Sequence, residues 1–260
     1  MPSFSVIIAT HRRAALLARA LASLHAQWHP PQQVLVVSDA SDPETLRTFE
    51  SLARDGDVFV QRTGAPGPAA SRNLALRLAV GDYVLFLDDD DTFRPQFLSG
   101  LAAGLDGFAP QQIAYTNFEV LDDAAGAGAD APASQPVDLG GLDPNWVYVK
   151  NFIPNNCQVF PRTLLEGLAF DASLPYEDWD FLLSACGKGQ LRHLPVPGPC
   201  VHKNVPGTEH RGQKNDSRLV ECYLAVYGRH PAPNPQVAEQ RRQLFASIGL
   251  DLDRLARARP

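Results

Sequence analysis

An alternation constrains this chain more than any other feature. Before residue 88, four short apolar runs, Phe4 to Ala9, Val34 to Val37, Val58 to Gln61 and Tyr83 to Leu87, are separated by three segments at helical spacing. Runs of that length and β-branched or aromatic content read as buried strands. Ala14 to Gln27 places Leu17, Leu21 and Leu24 on one side of a helix. Asp42-Pro43-Glu44 reads as an N-cap, a proline at the first helical position and an acidic first turn, opening a helix to about Arg54. Pro68 to Val80 reads as a helix stopped by Gly81. Strands alternating with helices imply right-handed crossovers and a largely parallel sheet, with ligands at the carboxyl ends of the strands. Two acidic segments fall at that edge: Ser38-Asp39-Ala40-Ser41-Asp42, and the run Asp88-Asp89-Asp90-Asp91.

Four adjacent carboxylates are costly. Two unit charges ~4 Å apart repel by ~1 kcal/mol in water and ~4 kcal/mol at an effective dielectric near 20. Such a cluster is expected where something positive binds. Hard oxygen ligands suit Mg²⁺ or Mn²⁺, which one or two carboxylates hold while substrate phosphates complete the shell. The alternative is an acidic turn capping the helix expected from Pro95 to Leu105, which accounts for one aspartate and not for four.

The second half is less regular. Ile113 to Val120 reads as a strand, Asp122 to Pro136 as an Ala/Gly/Asp-rich loop, Pro161 to Gly167 as a short helix and Tyr176 to Gly187 as another. Lys203 to Asp216 reads as a polar loop. The tail from Gln236 to Ala258 reads as one helix with Leu244, Ile248, Leu252 and Leu255 on a single face. Its arginines, Arg241, Arg242, Arg254, Arg257 and Arg259, suit either packing on the domain or peripheral contact with an anionic membrane surface.

Composition bounds the rest. The net charge of −6 argues against a nucleic-acid partner. Cys157, Cys186, Cys200 and Cys222 include no Cys-x-x-Cys pair and read as reduced core residues of a cytoplasmic protein. The opening Met1-Pro2-Ser3-Phe4 reads as the approach to a first strand rather than a signal peptide, and no stretch is long and apolar enough to span a membrane.

Several motifs, in order, resemble the family-2 glycosyltransferases of the GT-A fold. They are Ser5-Val6-Ile7-Ile8-Ala9-Thr10-His11-Arg12, Val36-Val37-Ser38-Asp39-Ala40-Ser41-Asp42, Gly67 with Ser71-Arg72-Asn73, Phe86-Leu87-Asp88-Asp89-Asp90-Asp91, Glu177-Asp178-Trp179-Asp180 and, after them, His202. The resemblance spans roughly residues 3 to 205. It implies a Rossmann-like, mostly parallel central sheet flanked by helices, a less regular acceptor-binding second half and a C-terminal helical tail. The implied division is a domain over 1–205, with a nucleotide-sugar half (1–120) and an acceptor half (121–205), followed by a loop and helical extension over 206–260.

By the same resemblance Asp39 accepts a hydrogen bond from the base of the nucleotide, and Thr10, Arg12, Arg72, Asp88 and Asp89 line the nucleotide site, with Asp88 on the ribose. Asp90 and His202 hold Mn²⁺ or Mg²⁺. Asp178, beside Glu177, is the catalytic base, while Asp91 and Trp179 face the acceptor or sugar. Each has a plainer reading: a helix cap for Asp39, an ion pair for Arg72, a favourable helix dipole for Glu177 and Asp178, a structural imidazole for His202, a core ring for Trp179. His210, Arg211 and Lys214, with Lys203, are candidates to fold over a diphosphate.

The expected activity is metal-dependent, inverting transfer of a hexose from a nucleotide diphosphate sugar, taken to be UDP-linked. The expected acceptor is a hydroxyl of a glycan or lipid-linked glycan in surface polysaccharide synthesis. The expected setting is the cytoplasm or the inner face of the membrane. Two alternatives stay open. A sugar-phosphate nucleotidyltransferase needs a Gly-rich loop near the first strand, where Thr10-His11-Arg12-Arg13 has none. A non-catalytic glycan-binding module has no need of the filled acidic positions.

Overall fold

The structure, a computed structural model, describes residues 1–123, 133–174, 176–203 and 217–257. The alternation is realised as β1 (Phe4–Thr10), α1 (Ala14–His25), β2 (Gln33–Ser38), α2 (Pro43–Leu52), β3 (Asp57–Gln61), α3 (Pro68–Leu76) and β4 (Tyr83–Phe86). Then follow β5 (Thr92–Phe93), α4 (Phe97–Gly104), β6 (Gln112–Thr116), β7 (Phe118–Asp122), β8 (Ala133–Val137) and β9 (Gln158–Pro161). The last elements are α5 (Glu177–Cys186), β10 (Gln190–Leu194), β11 (Pro199–Lys203), α6 (Ser217–Arg229), α7 (Pro235–Ala246) and α8 (Leu252–Arg257).

A seven-stranded sheet in the order β10-β6-β9-β4-β1-β2-β3 forms the centre. All its pairings are parallel except those of β9, which runs antiparallel between β4 and β6. Both faces are covered, which is why β1 and β2 are apolar without alternation. Val6 and Ile8 face a core with Leu17, Leu21, Leu24, Phe97 and Leu101; Ile7 faces the other, with Phe86, Phe160, Trp179, Tyr227 and Phe245. Gly81 is required at the entry to β4, because a Cβ there would lie 2.5 Å from the Ser5 nitrogen.

A second sheet, β5-β11-β7-β8, stands at the carboxyl edge of the first. Where the sequence suggests one strand over 113–120, a single residue, Asn117, separates two strands that enter different sheets. Its side chain accepts hydrogen bonds from the Leu139 N–H (2.9 Å) and faces His193 Nε2 at 2.7 Å, so it satisfies the corner where the chain leaves the ladder. Residues 133–136, expected in a loop, lie in β8; Pro136 is tolerated because β8 is an edge strand. Residues 124–132 lie outside the described residues.

Other expectations change in detail. The helix expected to reach Val80 ends at Leu76, and the one expected over 161–167 is a 3-10 turn, Arg162–Leu165. The tail is not one helix: α7 and α8 are separated by a turn in which Gly249 has φ 77°. Ile248 is exposed, and the face that packs is Val237, Arg241 and Phe245. Helix α6, which the sequence reading left unassigned, puts Tyr223, Val226 and Tyr227 against Trp179 and Phe245. Cys157, Cys200 and Cys222 are buried and Cys186 half-buried.

Candidate active site

The four aspartates leave β4 in a tight turn closed by the Asp91 N–H on the Asp88 carbonyl (3.0 Å). They do not share one environment. Asp89 is buried; it accepts from Thr10 Oγ1 (2.7 Å) at the end of β1 and from Arg13 (2.9 Å) at the start of α1. Arg13 also reaches Asp90 (3.3 Å), and Arg19 donates to the Asp90 carbonyl and to Asp123 (2.7 Å). Asp91 is buried and accepts from the His202 N–H and from Asn156 Nδ2, both at 2.8 Å. Burial raises the carboxyls of Asp89, Asp90 and Asp91 above the ordinary range, Asp91 well above it. The neighbouring Asp88 charge pushes Asp90 and Asp91 further in the same direction. Thr10 and Arg13 oppose the rise at Asp89.

Arg72 joins this turn to the second acidic motif. It sits in α3, is 7% exposed, and donates to Asp88 Oδ1 (2.8 Å) and Glu177 Oε1 (3.1 Å). Burial alone would lower its pKa, but Asp88, Glu177 and Asp178 together raise it. Asp178 is half-buried in the first turn of α5. Burial raises its pKa, Arg72 pulls it down, and Asp88 adds to the rise. It is thus a carboxylate with increased proton affinity, held beside a fixed cation.

Asp39 joins three segments at the carboxyl end of β2. His11 Nδ1 lies 2.5 Å from its Oδ1, while its Oδ2 accepts from the Gly67 N–H (2.6 Å) and from Arg62 (3.4 Å). The helix cap on this turn is Asp42. Arg12 has φ 52° and an exposed side chain; the arginine on the aspartates is its neighbour Arg13. The basic turn therefore reaches the acidic one through a residue the sequence reading passed over. Its signal was position: Arg13 immediately precedes α1 and points back along the edge of the sheet.

His202 does not present a free nitrogen. Its Nδ1 meets Asp123 (2.7 Å) and its Nε2 meets Thr92 Oγ1 (2.9 Å), while burial lowers its pKa against the pull of Asp123. Among the described residues no group of three or more His, Cys, Asp or Glu side chains is arranged to hold a metal. The donor set that remains, the partly exposed Asp88 and Asp90 carboxylates, fits a hard cation that takes most of its shell from phosphates and water.

Trp179 is 1% exposed; its indole donates to the Val147 carbonyl (2.7 Å) and packs on Tyr223 and Tyr227. The expectation of an apolar wall facing sugar is therefore corrected to a core role, because its face is already covered by rings of α6. Asn155 was missed altogether: it is buried, next to the Asp91 partner Asn156, and neither of its amide atoms has a hydrogen-bond partner among the described residues. His210, Arg211 and Lys214 lie outside the described residues, and Lys203 is exposed at the end of β11.

Residues 5–123 match the family model for glycosyl transferase family 2. Over that span, a little under half of its length, the chain is similar to that family. The matched span ends beyond the acidic turn, at Asp123, the partner of His202 and Arg19. Two curated relatives are the GalNAc(5)-diNAcBac-PP-undecaprenol beta-1,3-glucosyltransferase of Campylobacter jejuni and the poly(ribitol-phosphate) beta-N-acetylglucosaminyltransferase TarS of Staphylococcus aureus. The first is 35% identical over 39% of this chain and 34% of its own length. The second is 36% identical over 41% of this chain and 19% of its own length, so the matches span well under two thirds of either relative. A crystal structure of S. aureus TarS 1-349 in complex with UDP-GlcNAc superposes with a TM-score of 0.70 at 21% identity, covering 96% of this chain and 73% of that one. The chain thus has the GT-A fold, a mostly parallel central sheet flanked by helices. No helix among the described residues is long and apolar enough to cross a membrane.

Proposed function

We propose that this chain transfers a sugar from a UDP-sugar to a hydroxyl of a glycan or lipid-linked glycan acceptor in surface polysaccharide synthesis, with inversion at the anomeric carbon. The observation that carries the reading is Arg72, one side chain bonded both to Asp88 in the acidic turn and to Glu177 beside Asp178. Two motifs 16 and 105 residues away from it in sequence are thereby fixed as one site. The TarS complex with UDP-GlcNAc supports a UDP-sugar donor. The two relatives' names, which carry PP-undecaprenol and poly(ribitol-phosphate), support a glycan-type acceptor.

In this reading Asp178 takes the proton of the acceptor hydroxyl as that oxygen attacks the anomeric carbon and the bond to the diphosphate oxygen breaks. Burial makes Asp178 a stronger base than a surface aspartate, while the Arg72 charge favours its ionised form. Asp88 takes the ribose, and Asp39 the base of the nucleotide. Thr10 and Arg13 hold the acidic turn in register with the end of β1. Asp90 is the residue assigned to Mn²⁺ or Mg²⁺, which when bound offsets the charge that grows on the leaving diphosphate.

The test is a thermal-shift panel of UDP, GDP, CDP, dTDP and their sugars, with and without Mn²⁺ or Mg²⁺. A ligand at 100 times its Kd stabilises the folded state by ~2.7 kcal/mol. A metal-dependent shift with a UDP-sugar is expected, and a flat panel from folded protein sinks the reading. Asp90→Ala should lose the metal dependence of that shift; an unchanged dependence removes Asp90 from the metal. Asp178→Asn should lower turnover by about 10²- to 10⁴-fold with donor binding retained, and full turnover rules it out as the base.

A further inference from the structure

The base lies in an unusual helix start. Tyr176, the N-cap of α5, makes no side-chain capping bond, and the first turn that carries Asp178 closes with the Asp180 N–H on the Tyr176 carbonyl (3.2 Å). That turn is also held from outside. On one side Glu177 is held by Arg72. On the other, both residues that follow the base are gripped by the end of the chain. Trp179 packs on the Tyr223 and Tyr227 rings at 5.0 and 6.1 Å. Asp180, its side chain 6% exposed, meets His230 Nε2 at 2.9 Å and Arg229 at 3.5 Å.

The grip is itself anchored. Arg241 of α7 donates to the carbonyls of His230 and Tyr148, both at 2.8 Å, and lies 4.0 Å over the Tyr227 ring. The Tyr227 hydroxyl donates to the Val149 carbonyl (2.6 Å), two residues beyond the Val147 carbonyl that accepts from Trp179. Arg229 also bonds Asp171 (2.6 Å), in the loop leading into α5. Successive carbonyls of the 3-10 turn Pro144–Tyr148 and its exit therefore receive donors from α5, α6 and α7.

We infer that His230, with Arg229, is a positioning residue for transfer. Through Asp180 it fixes the rotation of the first turn of α5 and hence the aim of the Asp178 carboxylate. The helices after residue 216 then belong to the catalytic machinery and are not an appendage. The inference rests on the reading of Asp178 as the base. A general base must stay within hydrogen-bond reach of its proton, and a misplacement of about 1 Å costs on the order of 10²-fold in rate. Two side-chain contacts to the residue two positions on are the means by which this fold limits such drift.

The experiment is a kcat and donor-affinity comparison on the full chain. Hydrolysis of UDP-GlcNAc or UDP-glucose is followed by UDP release, with water in place of the acceptor hydroxyl, and donor binding by calorimetry. His230→Ala is expected to lower kcat by about tenfold or more with donor Kd within about twofold, and His230→Gln, which keeps a hydrogen-bond donor for Asp180, to recover most of the loss. Arg229→Gln, at a half-exposed site, is the milder companion should the first variant fold poorly, and a smaller loss confined to kcat is expected. Wild-type kcat in folded His230→Ala or Arg229→Gln overturns the inference, as does a loss shared equally by kcat and donor affinity. Asp178→Asn is the control: if it turns over normally, the base assignment fails, whereas a dead Asp178→Asn beside a fully active His230→Ala removes the brace alone.

Discussion

Two arginines are almost equally buried in this molecule and are used in opposite ways. Arg72 is 7% exposed and Arg241 5% exposed. Arg72 stands among carboxylates, which raise its pKa despite burial. Arg241 has no ion pair among the described residues; it donates to two backbone carbonyls and lies on a tyrosine face, and burial lowers its pKa. The first is a charge kept as a charge, in a region where like-charged aspartates would otherwise repel. The second is a set of donors with the charge tolerated, in a region whose task is packing. Burial alone therefore does not mark a functional residue; the sign of what surrounds it does.

The comparison can be broken at its stronger end first. Arg72→Met should remove the cation shared by the buried Glu177 and the partly exposed Asp88 and cost up to about 3–5 kcal/mol, the upper end applying only to a fully buried pair. Chemical denaturation should show it, with loss of turnover in whatever folds. Arg241→Met keeps the stem and strands only two neutral carbonyls, so a smaller cost of about 1–3 kcal/mol is expected. If the order of the two costs is reversed, the distinction drawn above fails.

The smallest effect is one of pH. Asp89, Asp90 and Asp91 have folded-state values raised by burial, so the folded protein binds more protons than the unfolded chain between the ordinary carboxylate range and those raised values. Their contribution is fully present at acid pH and lost as pH rises through the raised values. The Tm of ligand-free protein should climb as pH falls from neutral towards about 4. Below that it should drop, as carboxyls held low protonate, among them Asp171, held at about 2 by Ser173 and Arg229. A Tm that falls steadily from neutral to about 4 would show that the turn is not under electrostatic strain.

The first half was legible because its physics is local. Short apolar runs, a Pro after an N-cap and a Gly before β4 announce themselves within a few residues, and the acidic turn at the end of β4 follows from the strand that feeds it. What was missed depends on distant partners. Nothing near Ile113 or Val120 signals that Asn117 will turn the chain into a second sheet; its partners are Leu139 and His193. Trp179 reads equally well as a sugar platform or a core ring until α6 is placed on it. Arg13 and Arg12 are indistinguishable until Arg12 takes a positive φ and its neighbour reaches Asp89. The hydrophobic face of α7 was misjudged because Arg241, the residue that packs, is charged.

The antiparallel strand β9 has a consequence for how the protein is made. It lies between β4 and β6, yet its residues are synthesised after both. A nascent chain that has emerged only as far as β6 cannot close the sheet: β4 and β6 each present an open hydrogen-bonding edge until Gln158–Pro161 arrives to fill the gap. Residues 1–120 are thus not a unit that completes itself during translation. Until β9 emerges, the unfilled edges of β4 and β6 are open to mispairing.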